Sequence, residues 1–140
     1  MKNLLYILVA ALFLSFIIEG TYPADKLMEP AVLAKTLNKK SGKKPVVLNV
    51  GSVEDIVIKT AIPAGPCSIK QGIAKLNTAL TTIKTDQEIV IYCGCCALEH
   101  CMNIQPAVDV LVAKGYKKYK ILNIKESIVG DWKAKGYPIK

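Results

Sequence analysis

Five cysteines, Cys67, Cys93, Cys95, Cys96 and Cys101, occur in a chain of 140 residues, and the last four fall within nine positions. Disulfide staples gain most by closing long loops, and this spacing closes only trivial ones. A bond between the adjacent Cys95 and Cys96 would be strained, and the odd count leaves at least one thiol unpaired within a monomer. The cluster therefore reads as chemical rather than structural. His100, the only histidine, lies inside the same stretch. It could serve as a general base or a polarising cation beside a thiolate, or equally be a solvent-exposed bystander. With Cys93, Cys95, Cys96 and Cys101 it would also make a soft-metal ligand set. That set is compact, whereas such sites commonly pair two separated Cys-x2-Cys knuckles, so it is kept as an alternative and no metal or other cofactor is assigned. Glu99 reads as a charge at the approach to a helix.

The elements that must position these thiols alternate. Apolar residues Val32, Leu33 and Leu37 recur at helical spacing over 29–40, with Pro30 in the first turn. Val46–Val50 and Glu88–Tyr92 are short, continuously apolar runs of the kind buried on both faces of a sheet. Ile69, Ile73, Leu76, Leu80 and Ile83 form a helical stripe. Asn103 is placed to cap a helix that carries Pro106 in its first turn and stops at Gly115. Tyr119–Asn123 is a third strand, and Ser127–Lys135 a last helix ended by Gly136. The stretch from Val53 to Pro66 is ambiguous. Strands alternating with helices predict an α/β domain with a parallel sheet flanked by helices. Ligands of such sheets bind beyond the carboxyl ends of strands, and Cys93 directly follows Ile89-Val90-Ile91-Tyr92. Cys67 falls in a loop that approaches that end, where it could meet Cys93, although a plain loop thiol is the preferred reading.

Composition bounds the partners. Half of the chain is apolar, which argues for one domain with a real core. The net charge is +8, and all 19 basic residues are lysine. They are scattered, with short clusters at Lys39–Lys40, Lys43–Lys44 and Lys117–Lys118. They read as a solvated surface, and no nucleic-acid partner is expected. Met1-Lys2-Asn3 followed by the uncharged run Leu4–Ile18 has the layout of a secretory signal. Fifteen residues fall short of the roughly 20 that span a bilayer core. Gly20 and Ala24 are the candidate cleavage points, although no sharp small-x-small site stands out. The expected organisation is a signal peptide or N-terminal anchor over 1–24 and a domain over 25–140. The protein would then be exported, periplasmic or membrane-tethered facing the periplasm, and would meet a membrane only through an uncleaved N-terminal segment.

Ile89-Val90-Ile91-Tyr92-Cys93, then a loop and a helix ending Ala113-Lys114-Gly115-Tyr116, then a strand and Asp131-Trp132-Lys133-Ala134-Lys135-Gly136-Tyr137-Pro138, resembles the rhodanese-like domain. Val47-Leu48-Asn49-Val50 sits where that family carries a hydrophobic-Asp-Val-Arg strand, and Ile62-Pro63-Ala64 resembles its His-Ile-Pro-Gly-Ala turn. The resemblance covers residues 27–140 and is strongest to a bacterial subgroup with a Cys-Gly-Cys-Cys loop, continued by Pro-Trp and then Cys-Pro-Asn. The chain departs from the pattern at Asn49 for Asp, Gly51 for Arg, Ala97-Leu98 for Pro-Trp and Met102 for Pro. Its loop is also longer than a six-residue sulfurtransferase cradle.

The resemblance implies that Cys93 is catalytic, attacking a sulfane sulfur and holding it as a persulfide. Inward loop N–H groups and the start of the helix near Asn103 would favour its thiolate. Cys95, Cys96, His100 and Cys101 become auxiliary candidates. One of the thiols could resolve a Cys93 persulfide by disulfide exchange, or the group could be an ancillary feature of the loop. A dianion such as thiosulfate wants a cationic clamp, and a loop without arginine offers none besides a protonated His100. Small persulfides, polysulfides or a protein thiol acceptor are the expected partners. A soft-metal or thiol-redox module, and an inactive rhodanese fold used for protein interaction, are the alternatives.

Overall fold

The computed structural model describes residues 22–55 and 57–140. Most of the segment 1–24 expected to direct export therefore lies outside the described residues. Among the described residues no helix is long and apolar enough to cross a membrane.

Five strands form one sheet: β1 (Leu27–Met28), β2 (Val46–Asn49), β3 (Ile62–Pro63), β4 (Ile89–Tyr92) and β5 (Tyr119–Leu122). Their order is β1-β5-β4-β2-β3, and every pairing is parallel. The two apolar runs read from the sequence pair directly, with Val46 opposite Ile89 and Asn49 opposite Tyr92. All four residues of β4 are buried, as befits a strand with neighbours on both edges and helices on both faces. The edge strands β1 and β3 escape sequence reading because two residues carry no period. Proline is tolerated in β3 because that strand is an edge.

Three helices cover the sheet: α1 (Pro30–Asn38), α2 (Lys70–Leu80) and α3 (Ile104–Ala113). Pro30 takes the first helical position of α1, where its missing N–H costs nothing. The apolar stripe of the second helix is shorter than its spacing suggests. Ile69 precedes the first turn and is 49% exposed, while Leu76, Leu80 and Ile83 are buried. Gly115 ends the third helix with φ 81°. The expected last helix is a π-helical turn, Val129–Lys133, wound wide enough for the Ala134 N–H to reach the Val129 carbonyl at 2.8 Å. Asp131 Oδ2 holds its entry by accepting from the N–H groups of Lys125 and Glu126, each at 2.8 Å. Trp132 is fully buried there, with Nε1 donating to the Pro138 carbonyl at 2.9 Å and its ring meeting Tyr137 edge-on.

Alternation along the strands divides the core into two layers. Leu48, Ile89 and Ile91 face α2 and α3, packing on Leu76, Leu80, Ile104 and Leu111. Val47, Val90 and Tyr92 face α1 and the last turn, packing on Leu33, Leu37, Ile128 and Trp132. Cys93 continues the parity of Ile89 and Ile91, so it points into the α2–α3 layer.

Candidate functional site

The chain leaves β4 toward β5 and leaves β2 toward β3, so these neighbouring strands part at their carboxyl ends. A parallel sheet opens a crevice at such a point. Cys93 lines one side of it and Gly51 the other. A Cβ on Gly51 would fall 2.4 Å from the Cys93 carbonyl oxygen and 2.8 Å from Cys93 Sγ. Only glycine fits, which gives a physical reason for Gly51 standing where the family pattern has arginine. Asn49 follows from the same change. It is fully buried, and its Oδ1 accepts from the Gly51 N–H at 2.7 Å. Its Nδ2 turns toward the Tyr92 hydroxyl but falls short of a hydrogen bond. With no arginine opposite, an aspartate here would be a buried charge without a cation, so the neutral amide is the cheaper occupant.

Gly94 reverses the chain just beyond Cys93. Its φ is 98°, and a Cβ there would meet Asp55 and Ile128 at 2.9 and 3.2 Å. Its carbonyl accepts from the Ile128 N–H at 2.9 Å, tying the loop to the last turn. A helical turn, Leu98–His100, then leads into α3.

The structure brings the loop thiols together. Cys93 Sγ lies 3.3 Å from Cys95 Sγ, and Cys95 Sγ lies 3.4 Å from Cys96 Sγ. Cys101 lines one small cavity together with Cys93 and Cys96. Exposure grades across the cluster: Cys93 is 4% exposed, Cys96 and Cys101 are half-buried, and Cys95 is exposed. That small cavity is separate from the crevice and lies on the β5 side of Cys93; Leu98, Ile104, Leu122 and Ile124 wall it with the three thiols, and it is too narrow for a water molecule.

Asn103 does not do what its position predicts. Its side chain makes no cap on α3. Instead Nδ2 donates to Cys93 Sγ at 3.3 Å, and Oδ1 accepts from the Ser68 N–H at 2.8 Å. One amide thus pins the thiol and ties its loop to the loop that carries Cys67. Sequence reasoning missed this role because capping needs the same residue type at the same place. The available signal was the Cys-x-Asn pattern shared with the resembled subgroup.

The charge distribution also differs from expectation. The N–H groups of Asn103 and Ile104, at the start of α3, serve Cys101 rather than Cys93. Cys101 is held below the usual thiol range, first by the Cys93 thiol that faces it and then by those N–H groups. Cys93 is pushed up, first by its bond to Cys101 and then by burial, with the Cys95 N–H opposing. Of the two thiols, Cys93 is thus the one pushed toward its neutral form and Cys101 the one pushed toward its thiolate.

His100 is not part of this assembly. Its side chain is 74% exposed, and Nε2 pairs with Glu99 Oε1 at 3.2 Å. The five-residue ligand set Cys93, Cys95, Cys96, His100 and Cys101 does not converge. Among the described residues no three His, Cys, Asp or Glu side chains are arranged to hold a metal ion. Cys67 is more than a loop thiol: it is 1% exposed and shares the core layer of Cys93. Its Sγ donates to the Ala64 carbonyl at 3.3 Å, and burial, with Cys93 nearby, raises its pKa to about 12.

No protein-family model matches the chain, and no curated protein matches it in sequence. Solved structures do. Wild-type EanB and EanB variants in complex with hercynine superpose with a TM-score of 0.59 at 16% identity, over 82% of this chain and 27% of theirs. The chain thus spans little more than a quarter of EanB. The single-domain sulfurtransferase RDL2 of Saccharomyces cerevisiae superposes with a TM-score of 0.54 at 17% identity, over 84% of this chain and 95% of that one. The agreement with a whole single-domain sulfurtransferase, the parallel five-strand sheet and its flanking helices give this chain a rhodanese-like fold.

Proposed function

We propose that the protein is a sulfurtransferase or persulfide carrier acting through Cys93, exported and working in the periplasm or tethered to its membrane. The observation that carries this reading is the placing of one thiol, Cys93, at the parting of β4 and β2 with the Asn103 amide donating to its sulfur. Likeness in fold to RDL2, a single-domain sulfurtransferase, supports sulfur chemistry. Cys101, held below the usual thiol range, takes the Cys93 proton when it is itself ionised, leaving a Cys93 thiolate. That thiolate attacks the terminal sulfur of a persulfide or polysulfide. The donor S–S bond breaks, the donor leaves as a thiolate, and Cys93 becomes a persulfide whose charge the Asn103 amide faces. The cavity beside Cys93 on its β5 side is walled by Leu98, Ile104, Leu122 and Ile124 and carries no lysine, which suits these donors better than a dianion.

A second reading, a thiol-redox relay, is favoured by the 3.3 Å between Cys93 and Cys95. The Cys95 thiolate attacks Cys93 Sγ of the persulfide, hydrosulfide leaves, and a Cys93–Cys95 disulfide forms. A dithiol, small or protein-borne, returns both to thiols. Intact-mass spectrometry of the reduced protein, before and after a polysulfide, tests the assignment. One sulfur is gained, and Cys93→Ser gains none. Loading retained in Cys93→Ser but lost in Cys101→Ser would move the nucleophile to Cys101 and overturn it. Hydrosulfide release that disappears in Cys95→Ser distinguishes the relay from a simple carrier.

A further inference from the structure

The lysines are scattered in the sequence, but parallel topology gathers a subset of them. With all strands parallel, residues just before each strand lie at one pole of the sheet and residues just after lie at the other. Lys26 precedes β1, Lys43 and Lys44 precede β2, Lys84 precedes β4, and Lys117 and Lys118 precede β5. They meet in two surface hollows. Lys43, Lys44, Lys84 and Lys118 line one, and Lys26, Lys117, Lys118 and Lys120 line the other. Lys118 and Glu88 border both, so the surface is continuous. Its carboxylates are Asp86 and Glu88, with Asp25 beside Tyr119. Among the described residues no lysine forms an ion pair with a carboxylate, the one ion pair being His100–Glu99. Lys26 and Lys44 give their ammonium groups to the carbonyls of Lys117 and Leu37, which leaves the charge uncancelled. The helices also end at this pole, where their dipoles favour cations.

We propose that this lysine pole docks on an anionic phospholipid surface, with the thiol loop at the far pole turned away from it. The chain's own sequence names the occupant. Eight residue steps separate Ile18, the last of the uncharged run Leu4–Ile18, from Lys26. They reach at most about 29 Å even fully extended. A bilayer that holds the apolar run therefore lies within reach of the pole. One apolar insertion and one basic patch together make a stable attachment where either alone is marginal. Lysine, a hydrated point charge, suits a diffuse leaflet of headgroups, whereas nucleic-acid phosphates favour the arginine fork that this chain lacks.

The full chain, reconstituted in phosphatidylcholine vesicles with and without phosphatidylglycerol, tests this by lysine acetylation read residue by residue in a mass spectrometer. Lys43, Lys84, Lys117 and Lys118 should label about fivefold more slowly on the anionic vesicles, the factor equivalent to one lysine's attraction to such a surface. Lys70 and Lys125, at the thiol pole, should label equally on both. The difference should vanish in 1 M salt, where screening acts within about 3 Å. A variant with Lys43, Lys44, Lys117 and Lys118 all changed to Gln, every one exposed, should lose the protection of Lys84. Equal labelling on the two vesicle types would overturn the proposal. So would protection extending to Lys70 and Lys125, or protection of these lysines by an oligonucleotide but not by the vesicles.

Discussion

Cys67 and Cys93 are two buried thiols of one core layer, at 1% and 4% exposure, yet their surroundings have opposite polarity. Cys67 gives its hydrogen to the Ala64 carbonyl, a partner that favours the neutral thiol. Cys93 receives from the Asn103 amide and faces a second thiol that can take its proton. Burial disfavours the thiolate at both places, and only Cys93 has donors to oppose it. The contrast teaches that depth alone does not make a cysteine inert. The sign of its hydrogen-bond partners decides whether a thiolate can be accommodated there, as the function proposed for Cys93 requires.

The comparison breaks most sharply on sulfur loading. Cys93→Ser should abolish the mass gain from a polysulfide, and Cys67→Ser should leave it intact; loss in both would mean that the two thiols act as a unit. Next in size is Gly51→Ala. Its methyl group would drive into Cys93, costing about 1–3 kcal/mol as overpacking, and denaturant unfolding together with Cys93 alkylation should report the damage. Asn103→Ala removes the donor from Cys93 and the acceptor from the Ser68 N–H beside Cys67, but not the Cys67–Ala64 hydrogen bond. Alkylation of Cys93 should slow by about tenfold, the worth of a hydrogen bond to a charged group, and its pH profile should move to higher pH; an unchanged rate would remove Asn103 from the site. The smallest effect is alkaline. The Cys67 pKa rises on folding from 9.0 to about 12. Between those values the folded state holds the proton more tightly, so the stability contributed is complete below about 9 and is lost as pH rises toward 12. Cys67→Ala should flatten that part of the stability curve in calorimetry, and an unchanged slope would assign the loss elsewhere.

Much of the frame was legible in the sequence. Three strands announce themselves as apolar runs, and the helices as stripes closed by Pro30 and Gly115. The edge strands were not legible, since Leu27–Met28 and Ile62–Pro63 become strands only through the neighbours they pair with. The last helix was placed by its pattern, but its wider winding was not. Within the site, Cys93 stood out by its place after β4, whereas the grouping around it did not follow from spacing. His100 adjoins Cys101 in sequence and turns to solvent. Gly51 is 42 positions from Cys93 and touches it.

By itself the sequence determined the order of elements, the end of the sheet at which the thiols collect, and the supply of lysine without arginine. These depend on local period and composition, which one chain carries in full. Tertiary structure alone decided which thiol is pushed up and which is held down, what Asn103 does, and that lysines far apart in sequence share one pole. Hydrogen bonds and fields depend on distance in space, and parallel strands make neighbours of residues that the sequence keeps tens of positions apart.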